Sequence, residues 1–406
     1  MMRPLLASFA ILLSVSNPAH AQAADPLMQV RVDVVYLASD DLEGRQTGTR
    51  GELLAAHYIA RRMESVGLRG AWNGEWLQPF SFAAHPHGGS KEPGTGHNVA
   101  GLLDRKAEKT LVIGAHYDHL GFGMHGSLHA ADTPAIHNGA DDNASGVAAL
   151  LWLARELSVV PDLGFNVLFV AFSGEEMGLL GSKAFLEKSP VSTDKILAML
   201  NMDMVGRLNA ERSIAISGTG TATEWKDLLD RIRPDRFHFN YSESGIGPSD
   251  HSSFYLRNMP VLHFFTGQHR DYHKPSDDSP LVNYEGIREV GSCIRSLVLA
   301  LSAKPALQFQ KTRDENKQQA AAFKVTLGVM PDYVYTGEGM RIDAVIENRP
   351  AHKAGLMDGD IVVRIGSYAV KDVYAYMEAL SKFEKGQSTE IAVRRKDGIV
   401  LKTVTF

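Results

Sequence analysis

Short apolar runs of strand length alternate with stretches of helical spacing from about Ala24 to Lys304, and this alternation constrains the fold more than any other feature. Asn98–Leu103, Thr110–Ala115, Phe165–Phe172 and Ile196–Met202 are brief and rich in apolar residues, as buried strands are. Leu53, Leu54, Tyr58, Ile59, Met63 and Val66 fall at helical spacing, and further helices are expected over Ser145–Leu157, Thr223–Ile232 and Tyr284–Leu301. The pattern predicts an α/β fold with a mostly parallel central sheet. Ligands gather at the carboxyl ends of strands in such sheets, and His116, Glu175 and Asp203 each follow a strand immediately.

Composition bounds the alternatives. The 406 residues, 44% hydrophobic and 22% charged, suit a globular chain with one large core and a second small one. The net charge of -5 is spread along the chain, which suggests neither nucleic acid nor an anionic membrane as a partner. Residues 1–21 read as an export signal: Arg3 supplies a positive start, Leu5 to Val15 an apolar run, and Ala19-His20-Ala21 a cleavage pattern. That run is far shorter than the about 20 residues needed to span a bilayer. The expectation is a periplasmic or secreted protein. Cys293 is the single cysteine, so an internal disulfide is excluded.

The chemistry lies in five ordered runs: Gly114–Asp118, Asn138–Asp142, Ser173–Glu176, Asn201–Asp203 and Asp271–His273. Together they supply the imidazoles and carboxylates that two divalent metals sharing one carboxylate require, which points to hydrolysis. His116 and Asp118 lie two apart at a strand end, so His116 can bind metal while Asp118 holds its other ring nitrogen. Glu175 and Glu176 diverge as neighbours, letting one ligate and the other address the attacking water. Asp141 sits in a turn before a helix, where a carboxylate can meet both metals.

These runs resemble peptidase family M28, the zinc aminopeptidases of bacterial leucine-aminopeptidase type. The likeness spans roughly Val30 to Leu301 and includes Leu42–Gly51 and Ser249–Phe254. It implies a phosphorylase/hydrolase-like α/β/α sandwich and two Zn2+, with other divalent metals as alternatives. It implies that His116 and Asp203 hold one zinc, Glu176 and His273 the other, and Asp141 bridges them. Glu175 is then the general base, Tyr272 a donor to the developing oxyanion, and the Asp141–Asp142 peptide cis.

Other polar residues carry two readings each. His119 is a ligand or simply lines the cavity; His137 is a ligand or only supports the Asp141 turn; Ser249 and Asp250 cap a helix or shape the pocket. Asp142, Asp277 and Asp278 orient ligands or are solvated, and Arg207 grips a substrate carboxylate or serves a structural ion pair. His-Glu-x-x-His, Gly-x-Ser-x-Gly and phosphate-cradling glycine motifs are absent.

Past Leu301 the pattern changes. Residues 306–322 read as a linker between a metallopeptidase unit over 22–305 and a small mixed β/α unit over 323–406. Pro350, Ala354-Gly-Leu356 and Gly359-Asp-Ile361 give the second unit a resemblance to bacterial PDZ domains. Thr336–Ile342 then takes the place of the carboxylate-binding loop. A peptide C-terminus would pair beside Met340–Ala344 and rest on Val373, Met377 and Leu380, which could equally be core.

The expected function is an exported two-zinc aminopeptidase acting on peptide N-termini. The alternatives are an M28-type carboxypeptidase, dipeptidase or glutaminyl-cyclase-like enzyme, and a non-catalytic metal- or peptide-binding protein.

Overall fold

The computed structural model describes residues 26–83, 93–129, 133–303, 307–312, 325–332, 335, 337–346 and 348–406. The export signal read at residues 1–21, Thr336, and the linker residues 306 and 313–322 lie outside them.

Strands β1 (Arg69–Gly70), β2 (Leu77–Phe82), β3 (Gly94–Leu103), β4 (Thr110–His116), β5 (Asn166–Phe172), β6 (Ile196–Met202), β7 (Ser213–Ser217), β8 (His238–Tyr241) and β9 (Val261–Phe265) form one nine-stranded sheet. Its order is β1-β3-β5-β4-β6-β9-β7-β8, with β2 beside β3. The central run β5-β4-β6-β9 is parallel, whereas β3 meets β5 and β7 meets β9 antiparallel. The carboxyl ends of four adjacent strands therefore open on one edge, where His116 ends β4 and Asp203 follows β6.

Both faces of the sheet are covered. On β5, Val167, Phe169 and Ala171 enter one core and Leu168, Val170 and Phe172 another, the period-two alternation of a strand buried on both sides. The first core is closed by helices α1 (Pro26–Leu37), α2 (Arg50–Ser65), α3 (Gly146–Ser158) and, from the far end of the domain, α7 (Tyr284–Ser302). The second packs under α4 (Leu180–Glu187) and α6 (His251–Tyr255), whereas α5 (Trp225–Ile232) joins the first core and packs against α7. Helix α3 is buried nearly all round, as a central helix free of charge until Arg155 can be. Thr49 caps α2 by accepting from the Glu52 amide, and Asn283 caps α7 by accepting from the Gly286 amide. Gly114 on β4 is required by packing: a Cβ there would stand 2.6 Å from the Phe172 ring.

A second, antiparallel sheet with its own core follows. Its strands are β10 (Val329–Pro331), β11 (Met340–Val345), β12 (Ile361–Ile365), β13 (Tyr368–Ala369), β14 (Ser388–Arg395) and β15 (Gly398–Thr405), with helices α8 (Pro350–Lys353) and α9 (Val373–Leu380). The sheet corrects the expected peptide-pairing edge. Strand β11 pairs with β10 on one side and β12 on the other, so Met340–Ala344 offers no free ladder; β10 is the outer strand. Leu380 is buried, and Val373 and Met377 are half-buried against the same core. Residues 307–312 lie on the first unit: Phe309 bridges to Ala222, and the Thr312 amide donates to the Tyr255 hydroxyl. No helix among the described residues is long and apolar enough to cross a membrane.

Candidate metal centre

Three strand ends and two loops deliver the polar side chains to one place. His116 Nε2 lies 3.3 Å from Asp203 Oδ1 and 3.3 Å from Asp142 Oδ1. His273 Nε2 lies 3.2 Å from Asp142 Oδ2 and 3.3 Å from Glu176 Oε2, and His119 Nδ1 lies 2.8 Å from Glu176 Oε1. Two ligand triads result, His116–Asp142–Asp203 and His119–Asp142–Glu176, and Asp142 belongs to both.

The shared carboxylate is thus Asp142, which corrects the expectation placed on Asp141. Asp141 turns the other way. Its Oδ1 accepts from Ser145 Oγ at 2.9 Å and from the Gly206 amide at 2.6 Å, and its Oδ2 meets His269 Nε2 at 3.1 Å. The cis peptide likewise joins Asp142 to Asn143, one residue beyond the expected bond. Gly139, with φ 55°, starts this turn; a Cβ there would stand 2.1 Å from the Asp142 carbonyl and 2.5 Å from the His119 ring.

The outer ring nitrogens are fixed. His116 Nδ1 lies 3.2 Å from the Asp118 carbonyl oxygen and His273 Nδ1 lies 2.9 Å from that of Gly126, so each imidazole presents Nε2 to the carboxylates. Asp118 is fully buried; its Oδ2 accepts from Thr47 Oγ1 at 3.0 Å and its Oδ1 from the Glu175 amide at 3.2 Å. It therefore ties the His116 strand to the Glu175 turn. Tyr272 stacks its ring on His273 with centroids 3.8 Å apart.

Adjacent glutamates are driven in opposite directions. Burial raises the Glu175 pKa well above the ordinary carboxylate value; His116 opposes the rise, and Asp203, Glu176 and Asp250 add to it. Burial would also raise Glu176, but the His273 charge and hydrogen bonds from His119 and His273 bring it down to about 2. Asp142 is held well below the ordinary range: burial is outweighed by His116, His119 and His273. The two imidazoles respond in kind, since burial would depress His116 and His273 yet the facing carboxylates hold both well above the usual histidine value.

Several supports carried little signal in sequence. Arg45 is fully buried and donates to the carbonyls of Tyr117 at 2.7 Å, Asn138 at 2.6 Å and Gly139 at 3.0 Å, and to that of Leu37. Arg207 pairs with Asp271 at 3.2 Å and Asp277 at 3.4 Å, which gives it a structural ion-pair role. His137 bonds Ser127 Oγ and the Ala135 carbonyl and so holds the loop before the turn. The Asp250 side chain is buried, and burial pushes its carboxyl up to about 7 against the pull of His116 and Ser182.

The donor set fits divalent zinc. Nitrogen and carboxylate oxygen ligands are gathered around one shared carboxylate, nearly all closed to solvent. So many facing carboxylates are poorly accommodated in a buried site without cations.

Comparison with known proteins agrees. Residues 98–298 match peptidase family M28 and residues 307–405 match the PDZ domain. The alkaline phosphatase isozyme conversion protein of Escherichia coli is 30% identical over 195 residues, 46% of this chain and 53% of its own. A probable leucine aminopeptidase of Arthroderma otae is 30% identical over 190 residues, 44% of this chain and 50% of its own. The chain spans about half the length of the curated relatives it matches. Among solved structures, a Zn-dependent exopeptidase from Parabacteroides distasonis superposes with a TM-score of 0.55 at 16% identity, covering 67% of this chain and 97% of that one. A glutaminyl cyclase from Porphyromonas gingivalis does so with 0.55 at 18% identity over the same shares, so these two establish fold alone. Residues 98–298 are a peptidase family M28 domain, and a PDZ domain lies within the match over residues 307–405.

Proposed function

We propose that this chain is an exported two-zinc aminopeptidase. One metal would be held by His116, Asp203 and Asp142, the other by Glu176, His273 and Asp142. His273 is preferred over His119 as the second imidazole because its Nδ1 is fixed by Gly126 O at 2.9 Å, the usual arrangement of a ligating histidine. His119 then donates to Glu176. When bound, the zinc pair supplies the Lewis acidity that makes water a nucleophile at neutral pH.

The rest falls to the chain. Glu175 Oε takes the proton of the attacking water and returns it to the leaving amine, a task suited to a carboxyl group whose pKa is raised by burial. Asp118 holds the Glu175 amide and so aims the base. Tyr272, whose phenol stays protonated because burial and the nearby Asp142 and Glu176 raise its pKa, donates to the developing oxyanion.

The observation that carries this reading is geometric: His116, Asp203 and Asp142 gather in one group and His119, Glu176 and Asp142 in another, with Asp142 common to both and Glu175 tied by its amide to Asp118 beside them. Glu175→Gln should keep zinc and lose peptidase turnover by about 10²–10⁴-fold, the usual worth of general base catalysis. Near wild-type turnover in the zinc-loaded variant would rule out the base. A panel of free, N-blocked and N-terminal glutamine peptides distinguishes aminopeptidase from carboxypeptidase and cyclase chemistry. Release of an N-terminal residue from free peptides alone is the expected result.

Export through residues 1–21 places the enzyme in the periplasm or outside the cell. Residues 22–305 form the peptidase unit, 306–322 the linker and 323–406 the peptide-docking unit. The free outer ladder of β10 is the edge available to a peptide C-terminus.

A further inference from the structure

The loop after β9 grips the Asp142 turn three times, at four-residue intervals. His269 bonds the Asp141 carboxylate at 3.1 Å, His273 meets the Asp142 carboxylate at 3.2 Å, and Asp277 takes the backbone. Asp277 Oδ2 accepts from the amides of both Asp141 and Asp142 at 3.0 Å, and the Asp277 carbonyl accepts from the Ala140 amide at 3.0 Å. Three successive amides of the turn thus end on one residue, which is fully buried. Its other carboxylate oxygen faces Arg207 Nη2 at 3.4 Å and His269 Nε2 at 3.9 Å.

We propose that Asp277 is a positioning residue of the metal centre: it clamps the Ala140–Asp142 backbone and thereby fixes where the shared Asp142 carboxylate stands between the two metals. The inference rests on the two-metal reading. Ala140, Asp141 and Asp142 open a short π-helical turn over Ala140–Ser145, with non-helical dihedrals of φ -103° and ψ 90° at Asp142 and φ -134° and ψ 42° at Asn143, so as its first amides they find no acceptor within it. Asp277 supplies the missing acceptors. His273 and Asp277 also lie on one short loop, which therefore carries both a ligand of one metal and the anchor of the shared carboxylate.

The division of labour between the two oxygens makes the idea testable. In Asp277→Asn the amide carbonyl can take the place of Oδ2 and keep both backbone bonds, while the charge facing Arg207 and His269 is lost. In Asp277→Ala both go. Zinc affinity is read on the full chain by competition with a chromophoric chelator. The Ala variant should bind zinc about 10–100-fold more weakly, the usual effect of removing a group that orients a ligand, and the Asn variant should restore most of that loss. Unchanged affinity in the Ala variant, or equal loss in the Asn variant, overturns the clamp.

Hydrogen exchange on the unmutated, metal-free chain needs no variant to fold. The Asp141 and Asp142 amides should be among the slowly exchanging set, and rapid exchange there sinks the clamp alone. A wild-type chain that takes up no zinc sinks the two-metal reading itself.

Discussion

Exchanging Asp142 for asparagine should empty the centre, whereas the same exchange at Asp141 should not. Asp142 presents one oxygen 3.3 Å from His116 Nε2 and the other 3.2 Å from His273 Nε2, so it serves both halves of the site. The amide keeps the shape but loses the charge and one acceptor oxygen. Taking each of two charge-assisted contacts as about 1.5–3 kcal/mol gives about 3–6 kcal/mol in all. At about 1.4 kcal/mol per decade this weakens metal binding by about 10²–10⁴-fold. In Asp141→Asn the oxygen facing Ser145 and Gly206 can stay an acceptor, and only the contact with His269 changes. That loss is worth about 1 kcal/mol of stability. Metal content after dialysis, with denaturant unfolding of both variants, separates the cases. Retention of two zincs by the Asp142→Asn variant, or their loss from the Asp141→Asn variant, would refute the assignment of the shared carboxylate.

Arg45→Met should cost about 3–5 kcal/mol, since it leaves buried carbonyls of Leu37, Tyr117, Asn138 and Gly139 without their donor; the midpoint of urea unfolding measures it. Phe169→Ala, at a fully buried position on β5, should cost about 3–5 kcal/mol and lower the melting temperature by about 6–20 °C, and a loss under about 1 kcal/mol would contradict the packing described. The metal-free chain should show a distinctive pH profile. His116 and His273 have raised folded pKa values, so their contribution is complete below the unfolded value of about 6.5 and is lost as pH rises through the folded values. Asp142 and Glu176 are lowered, so theirs is present above about 4 and is lost as pH falls through the folded values, about 2 for Glu176. Thermal unfolding of chelator-treated protein should therefore weaken above about pH 6.5, where zinc-loaded protein gains from neutral imidazoles.

Some of this was legible in the chain because a period or a strand end carried it. The apolar runs of β4, β5 and β6 mark buried parallel strands, and a residue that follows such a strand must emerge at the sheet edge. His116, Glu175, Glu176 and Asp203 are placed in that way. The doubled glutamate also conveys its own logic, because neighbours on a turn cannot both face one ion.

Asp141 and Asp142 obey no such rule. They lie in a turn with neither a two-residue nor a 3.6-residue period, and the choice of which carboxylate faces inward is made by partners remote in sequence. Asp277 fixes the two amides, Ser145, Gly206 and His269 capture Asp141, and Asp142 is left to the imidazoles. The same reason hides His269, a single histidine among sixteen until the fold sets it against Asp141. It also explains the misplaced peptide edge. Glycine and proline spacing marks the turns around β11, but which neighbour fills a strand's ladder is a property of register, and β10 occupies it through only three residues with Pro331 at the end. Local pattern thus locates the elements and the strand-end chemistry. The selection between adjacent acids, and between adjacent edges, belongs to long-range hydrogen bonds.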